Sequence, residues 1–219
     1  HGFEQMAFGL RHKDIPQLKK DCEEATRITG VKVLVGIEAN LCDEDGRTDL
    51  REEDYKDFDV YLMGVHRFVE FSRFRDFRYL FFQNALTAAF RAKPSKELVR
   101  YTTNAYVHSI EKYPVDAITH LNFTCFCDVV EVAKAARDYG TYIELNSKKV
   151  HLTDEELCAV RDTGVRFIID SDAHSVDRIG DTALVESILT RVDIPPERID
   201  NIEGRTPVFR FKEFKERNL

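Results

Sequence analysis

Five short apolar runs rich in Val and Ile recur along the chain: Val31–Ile37, Val60–Val65, Val115–Thr119, Thr141–Leu145 and Val165–Ile169. They are nearly continuous rather than alternating, the pattern of strands buried on both faces of a parallel sheet. Longer stretches with helix start and stop signals separate them. Asp14–Thr29 carries Pro16 in its first turn and Gly30 just past its end. Pro94 and Ser95 introduce Lys96–Tyr113, and Asp128 with Glu131 reads as a capping box for a helix that Gly140 closes. Thr153 with Glu156 repeats that device ahead of Gly164, and Thr182–Val192 and Phe209–Lys215 complete the helical set. Strands alternating with helices predict an α/β fold. Two arrangements are consistent with it: an open doubly wound sheet, or a barrel whose first units lie upstream. With no repeat, low-complexity tract or linker, residues 1–219 read as one domain.

Composition narrows the function classes. No apolar run approaches the roughly 20 residues of a membrane span. With 16 Phe and 8 Tyr the chain has ample material for a core. A net charge of −7 argues against a nucleic-acid coat or an anionic membrane surface, which favour a basic face. Five cysteines in no regular frame suggest reduced thiols and a cytoplasmic protein, and no signal peptide is expected. The chain opens His1-Gly2-Phe3 and its first Met is Met6, so further residues are expected upstream.

Polar residues able to bind metal stand at the carboxyl ends of four of the five runs. Glu38 follows the first, His66 the second and His120 the third, while the fifth leads into Ser171-Asp172-Ala173-His174. Carboxyl ends of parallel strands form one rim, where α/β enzymes place their sites. Any one such His is more often a hydrogen-bonded structural residue, and a single strand-end Glu is usually a solvated loop residue or a cap. Together, His and carboxylate are the ligand set of Zn²⁺, Mn²⁺ and Fe²⁺. In Asp172-Ala173-His174 the alternate side chains of an extended segment point the same way.

In order and rough spacing, Gly36-Ile37-Glu38-Ala39-Asn40, Gly64-Val65-His66, Thr119-His120 and Ser171-Asp172-Ala173-His174 resemble the later motifs of the PHP (polymerase and histidinol phosphatase) phosphoesterases. Glu144-Leu145-Asn146-Ser147 is similar to that family's sixth strand end, and His1-Gly2 to the end of its second motif, Asp-His-Gly. The resemblance runs from His1 to about Asn201 and is closest to the single-domain histidinol-phosphatase-like branch. It implies a distorted (β/α)₇ TIM-like barrel, here lacking its first β-α-β unit, with up to three divalent transition metal ions at the strand carboxyl ends. Glu38 is then expected to bridge two metals, His66 and His120 to complete the second, Asp172 to serve the first, and His1 and His174 the third. Catalytic work falls to Glu38, Asp172 and His174. The family's first motif, His-X-His, and a further His after it are absent from this chain. The first and third positions therefore lose ligands, and a single ion beside Glu38, His66 and His120 is expected. Leu121 stands where the family usually has Pro, which is expected to alter the loop without removing a ligand.

The implied activity is metal-assisted hydrolysis of a small phosphomonoester, in which a metal-activated water attacks phosphorus in line. Within the enzyme class the alternative is a nucleotidase or short-oligonucleotide 5′–3′ exonuclease. Outside it, the alternative is a non-catalytic PHP domain kept for partner binding. The expected partner is a small phosphorylated substrate, with no membrane, nucleic acid only as nucleotides or short oligonucleotides, and the oligomeric state open. Arg67, Arg73, Arg75 and Arg78 follow His66 within an aromatic-rich stretch. They read as a lid that grips substrate phosphate, or as a packed excursion or dimer contact whose arginines pair with Glu70 and Asp76. Cys125 and Cys127 read as small hydrophobes. His12, His108 and His151 read as structural or solvent-facing, and Asp43-Glu44-Asp45-Gly46 as a turn.

Overall fold

The strands pair in the order in which they occur. In the computed structural model, which describes residues 1–218, β1 (Gly36–Asn40), β2 (Val60–Gly64), β3 (Ala117–Ile118), β4 (Tyr142–Asn146) and β5 (Phe167–Asp170) form one five-stranded parallel sheet. Because the order never reverses, the sheet has no doubly wound switch point. Beyond β5, Ile199 makes a further parallel bridge to Phe167.

The two faces of this sheet differ sharply. Register places Ile37, Ala39, Tyr61, Met63, Ile118, Ile143, Leu145, Phe167 and Ile169 on one face, and all of them join the main core. The alternate positions Glu38, Asn40, Leu62, Gly64, Ala117, Tyr142, Glu144, Asn146, Ile168 and Asp170 share the other face. There Ala117, Tyr142 and Ile168 form a small separate apolar cluster, and the polar members gather toward the carboxyl ends. The expected near-continuous burial is thus an apolar face under helices and a mixed face that carries chemistry.

Local signals account for the helices. The elements are α1 (Ile15–Thr29), α2 (Phe74–Asp76), a π-helical segment (Phe77–Gln83), α3 (Asn84–Ala89), α4 (Lys96–Lys112), α5 (Val129–Tyr139), α6 (Asp154–Asp162), α7 (Ala183–Leu189) and α8 (Arg210–Asn218). Gly30 and Gly140 close α1 and α5 in the left-handed conformation, at φ +70° and +73°. Ser95 caps α4, and Thr153 and Glu156 form the reciprocal capping box of α6. Asp128 caps α5 by accepting from Val130 and Glu131 N–H, so it serves as an N-cap without the reciprocal Glu131 arm. Val129, Val132, Ala133 and Ala136 are the buried stripe of α5, which packs between α4 and α6.

The first strand differs most from expectation. Pairing starts at Gly36 opposite Val60, not at Val31, because the chain before Val60 is coiled into the 3₁₀ turn Glu52–Asp57 and offers no ladder. Val35 N–H is satisfied instead by the Asp59 carboxylate, and Val31 is left exposed. No described helix is long and apolar enough to cross a membrane.

Candidate metal centre

Glu38 is the hub. From the mixed face of β1 its carboxylate meets three imidazoles: His1 Nδ1 at 3.0 Å from Oε2, and His66 Nε2 and His120 Nε2 at 3.3 and 3.1 Å from Oε1. Thr119 Oγ1 donates to the same Oε1 at 2.7 Å. His1, Glu38 and His66 have ligand atoms mutually within 4.8 Å. Burial opposes ionisation of Glu38, but hydrogen bonds from His1, His120 and His66 outweigh it and hold the carboxyl well below its ordinary range. His1 is raised mainly by its bond to Glu38, whereas burial lowers His66 against the pull of Glu38.

The backbone is shaped to bring these groups together. Gly64, opposite Asn40, leaves the space His120 fills: a Cβ there would lie 2.4 Å from Thr119 Oγ1 and 2.8 Å from His120 Cε1. His120 itself is held at φ +32°, and Asp172 at φ +41°. Leu121, fully packed beside it, permits this backbone, since proline there would push residue 120 toward extended conformations.

A buried chain behind the ligands orients them. His66 Nδ1 lies 2.8 Å from Asn40 Oδ1, and Asn40 Nδ2 donates to Asp49 at 2.5 Å. Asp49 also accepts from the N–H groups of Asn40 and Glu4, at 2.7 and 2.9 Å, and packs so tightly on Gly2 that a Cβ there would lie 2.1 Å away. One buried carboxylate therefore registers both the segment bearing His1 and the amide that orients His66.

Asp172 and His174 form the second half of the rim. His174 Nδ1 is 2.8 Å from the Asp172 carbonyl oxygen and 3.4 Å from Asp172 Oδ1. Glu144 and Asn146 join the halves: Glu144 accepts from His120 N–H, and Asn146 Nδ2 donates to Glu144 and to Asp172 Oδ2, at 3.1 and 3.2 Å. Burial, reinforced by the neighbouring Asp170, raises Glu144, and burial raises Asp170. Neither residue was a ligand candidate; their strand-end positions were the available signal.

The donor set fits a divalent ion. His66 Nε2 and His120 Nε2 stand 3.2 Å apart and both face Glu38 Oε1, so two imidazoles and a carboxylate of the kind that ligates divalent ions converge on one point. Asn40 keeps the Nδ1 proton of His66 in place, and the lowered pKa favours the neutral ring that ligates metal. The resemblance grouped His1 with His174; here His1 stands against Glu38 and in edge-to-face contact with His66.

The arginines divide. Arg73 binds buried Asp76 at 2.7 Å and Asp45 at 2.9 Å, and Arg75 reaches Glu44 at 3.5 Å and lies over the Tyr101 ring. Both arginines thus pair with carboxylates of the chain, with the acidic turn Asp43–Asp45 rather than Glu70 beside Asp76. Arg67 and Arg78 take part in no ion pair among the described residues. His12 pairs with Asp54 and His108 with the Glu44 carbonyl, both structural as expected. His151 stands at the rim instead, 4.3 Å from Phe123 and 6.4 Å from His120 between ring centroids, and burial lowers it to about 4. Its sequence position, which ends no strand, carries the expectation of a structural or solvent-facing residue and no signal for the rim. All five cysteines are free thiols, with Cys125 buried and raised.

No protein-family model matches the chain. It is similar to a protein named probable phosphatase from Caldanaerobacter subterraneus subsp. tengcongensis, 28% identical over 184 residues, covering 80% of this chain and 63% of the relative. A probable phosphatase of Tolumonas auensis is 29% identical over 187 residues, covering 81% of this chain and 66% of that protein. A third, from Acetivibrio thermocellus, is 29% identical over 196 residues, covering 86% and 70%. The chain thus spans less than two thirds of the length of the first two relatives.

Proposed function

We propose that this chain is a phosphoric ester hydrolase of the PHP type that depends on divalent metal and acts on a small phosphomonoester. The observation that carries the reading is the convergence of His1, His66 and His120 on the Glu38 carboxylate at 3.0 to 3.3 Å. The names of the relatives, all probable phosphatases, support it. The uninterrupted strand order supports a distorted (β/α) barrel spanning the whole chain as one domain, with the mixed sheet face as its interior.

His1, Glu38, His66 and His120 would hold an ion at one end of the rim, with Asp172 and His174 at the other. When bound, such an ion supplies a water of lowered pKa and positive charge against the phosphoryl oxygens. Asn40 keeps His66 in the tautomer that presents Nε2, Thr119 fixes Glu38 through Oε1, and Gly64 leaves room for His120. Arg67 and Arg78 pair with no carboxylate among the described residues and are the arginines of this stretch proposed to hold a substrate phosphate, since Arg73 pairs with Asp76 and Asp45 and Arg75 with Glu44. A net charge of −7 favours a small ester over a long polyanion.

The test is hydrolysis of a panel of phosphomonoesters, nucleotides and short oligonucleotides by chelator-stripped protein, with and without Zn²⁺ or Mn²⁺. Metal-dependent phosphate release that disappears in His66→Ala is expected. Release that is unaffected by chelator overturns the metal reading, and no release from any ester leaves the fold as a binding domain.

A further inference from the structure

Phe68 holds a left-handed backbone that a bulky side chain rarely adopts, at φ +62°, and its ring is 58% exposed. Two segments running together fix that conformation. Gln5 and Val69 form an antiparallel bridge, Met6 N–H donates to the Phe68 carbonyl oxygen at 3.0 Å, and Gln5 Nε2 donates to the Arg67 carbonyl oxygen at 2.6 Å. These are the segments that carry His1 and His66. Backbone strain over-determined in this way concentrates at functional sites.

Phe68 walls a cavity of about 390 Å³ together with Met6, Phe71, Phe74, Phe77 and Phe81. Between ring centroids, Phe77 lies 5.6 Å from Phe81 and 6.2 Å from both Phe71 and Phe74, and Phe81 lies 5.8 Å from Phe68. The π-helical winding of Phe77–Gln83 contributes, because its wider turn brings Phe77 against both Phe81 and Phe82. The volume is that of a pocket for a small molecule. The charged residues of its wall, Glu70 and Arg73, are opposite in sign, and Arg73 is already paired with Asp76 and Asp45. Arg67 and Arg78 adjoin Phe68 and Phe77 in the chain and pair with no carboxylate among the described residues. An apolar hollow edged by such guanidinium groups is complementary to an anion with an apolar body. It is less suited to a second copy of the chain, since residues 67–78 carry four arginines against Glu70 and Asp76 and would meet their own like charges.

We infer that this cavity receives the organic part of the ester, and that the substrate is a phosphomonoester of an uncharged, ring-bearing alcohol or phenol. Two extended residues span no more than about 7 Å, so the Phe68 backbone lies within that distance of the His66 backbone. A small ester can therefore meet the cavity wall while its phosphoryl group stays at Glu38, His66 and His120. The phenyl rings of the wall favour a flat ring through offset and edge contacts.

This inference rests on the phosphoester reading above, and the binding of two phosphonates separates them. Phenylphosphonate and methylphosphonate, which are not hydrolysed, are titrated calorimetrically into wild type, Phe68→Gly and Phe74→Ala, each both zinc-loaded and chelator-stripped. Phe74 is 79% exposed and glycine suits the left-handed backbone at residue 68, so both variants should keep the wild-type fold, which thermal melting checks. Wild type is expected to bind phenylphosphonate about tenfold more tightly than methylphosphonate, the effect of burying part of one ring. Each variant is expected to bring that ratio toward one. Equal affinities in wild type, or a preference that survives in both variants, overturn the inference, while zinc-dependent binding of methylphosphonate keeps the metal reading standing. A phenyl preference that persists without zinc and is lost in the variants supports the cavity and overturns the metal reading alone. A dimer in sedimentation velocity that Phe74→Ala dissociates assigns the face to a second copy and overturns the inference as well. Binding of neither phosphonate overturns both readings together.

Discussion

Asn40 accepts the Nδ1–H of His66, and this one bond, 2.8 Å between Oδ1 and Nδ1, decides which ring nitrogen faces Glu38. The direction follows from the next bond in the chain: Asn40 must turn its NH₂ to the acceptor-only Asp49 carboxylate, which leaves its oxygen for His66. Removing the amide by Asn40→Ala frees the ring to flip or change tautomer. Loss of such an outer partner costs about 10–100-fold in metal affinity. Competition against a chelator of known affinity measures it, and ¹⁵N NMR of the His66 ring reports the tautomer. Unchanged zinc affinity would show that Asn40 has no positioning role.

Gly64→Ala is expected to disrupt the centre without touching a ligand. The new methyl would press on Thr119 Oγ1 and His120 Cε1 at 2.4 and 2.8 Å, inside any tolerated contact. His120 must shift away from Glu38, and overpacking of this kind costs about 1–3 kcal/mol. Metal binding should fall together with thermal stability. A variant that retains wild-type metal affinity would contradict the close approach.

Arg73→Ala is expected to act on stability more than on substrate. Its guanidinium neutralises Asp76, which is fully buried and also accepts from Tyr101 Oη at 2.5 Å and Glu44 N–H at 3.3 Å. Those two bonds remain in the variant, so the loss is that of one partner of a buried acceptor, about 1–3 kcal/mol. For a chain of this size that lowers Tm by several degrees. Arg78→Ala, by contrast, should leave Tm near wild type and raise KM for a phosphomonoester; the reverse pattern would exchange the roles assigned to the two arginines.

Asp116 predicts a pH dependence. Fully buried below β3, its carboxylate accepts from Tyr61 N–H and Phe211 N–H, both at 2.9 Å, yet burial pushes its pKa up to about 6. A carboxyl whose folded pKa lies above its unfolded value, near 3.9, binds its proton more tightly in the native state. Its contribution to stability therefore rises as pH falls from about 6 to about 4, by roughly 3 kcal/mol, and is lost again above pH 6. Carboxyl ¹³C NMR should place the Asp116 inflection near pH 6. An inflection below pH 4 would mean that the two backbone donors outweigh burial.

The order of elements, their caps and the strand-end positions of Glu38, His66, His120 and Asp172 were legible in the chain, because each depends on periodicity or spacing over a few neighbouring residues. Gly30, Ser95 and the Thr153–Glu156 box act within a single turn and need no partner elsewhere. What the site is made of beyond those positions was decided by contacts distant in sequence. Asp49 ties Glu4 and Asn40 together across 45 and 9 residues, and Lys148 reaches Asp172 and His174 from the neighbouring strand end. Arg73 pairs with Asp76 and Asp45 and Arg75 with Glu44, and the first strand cannot start before Gly36 because its partner offers no ladder there. A cation chooses among carboxylates by proximity and burial, and a strand chooses its ends by what lies beside it; both are properties of the folded chain, and neither is written in local spacing.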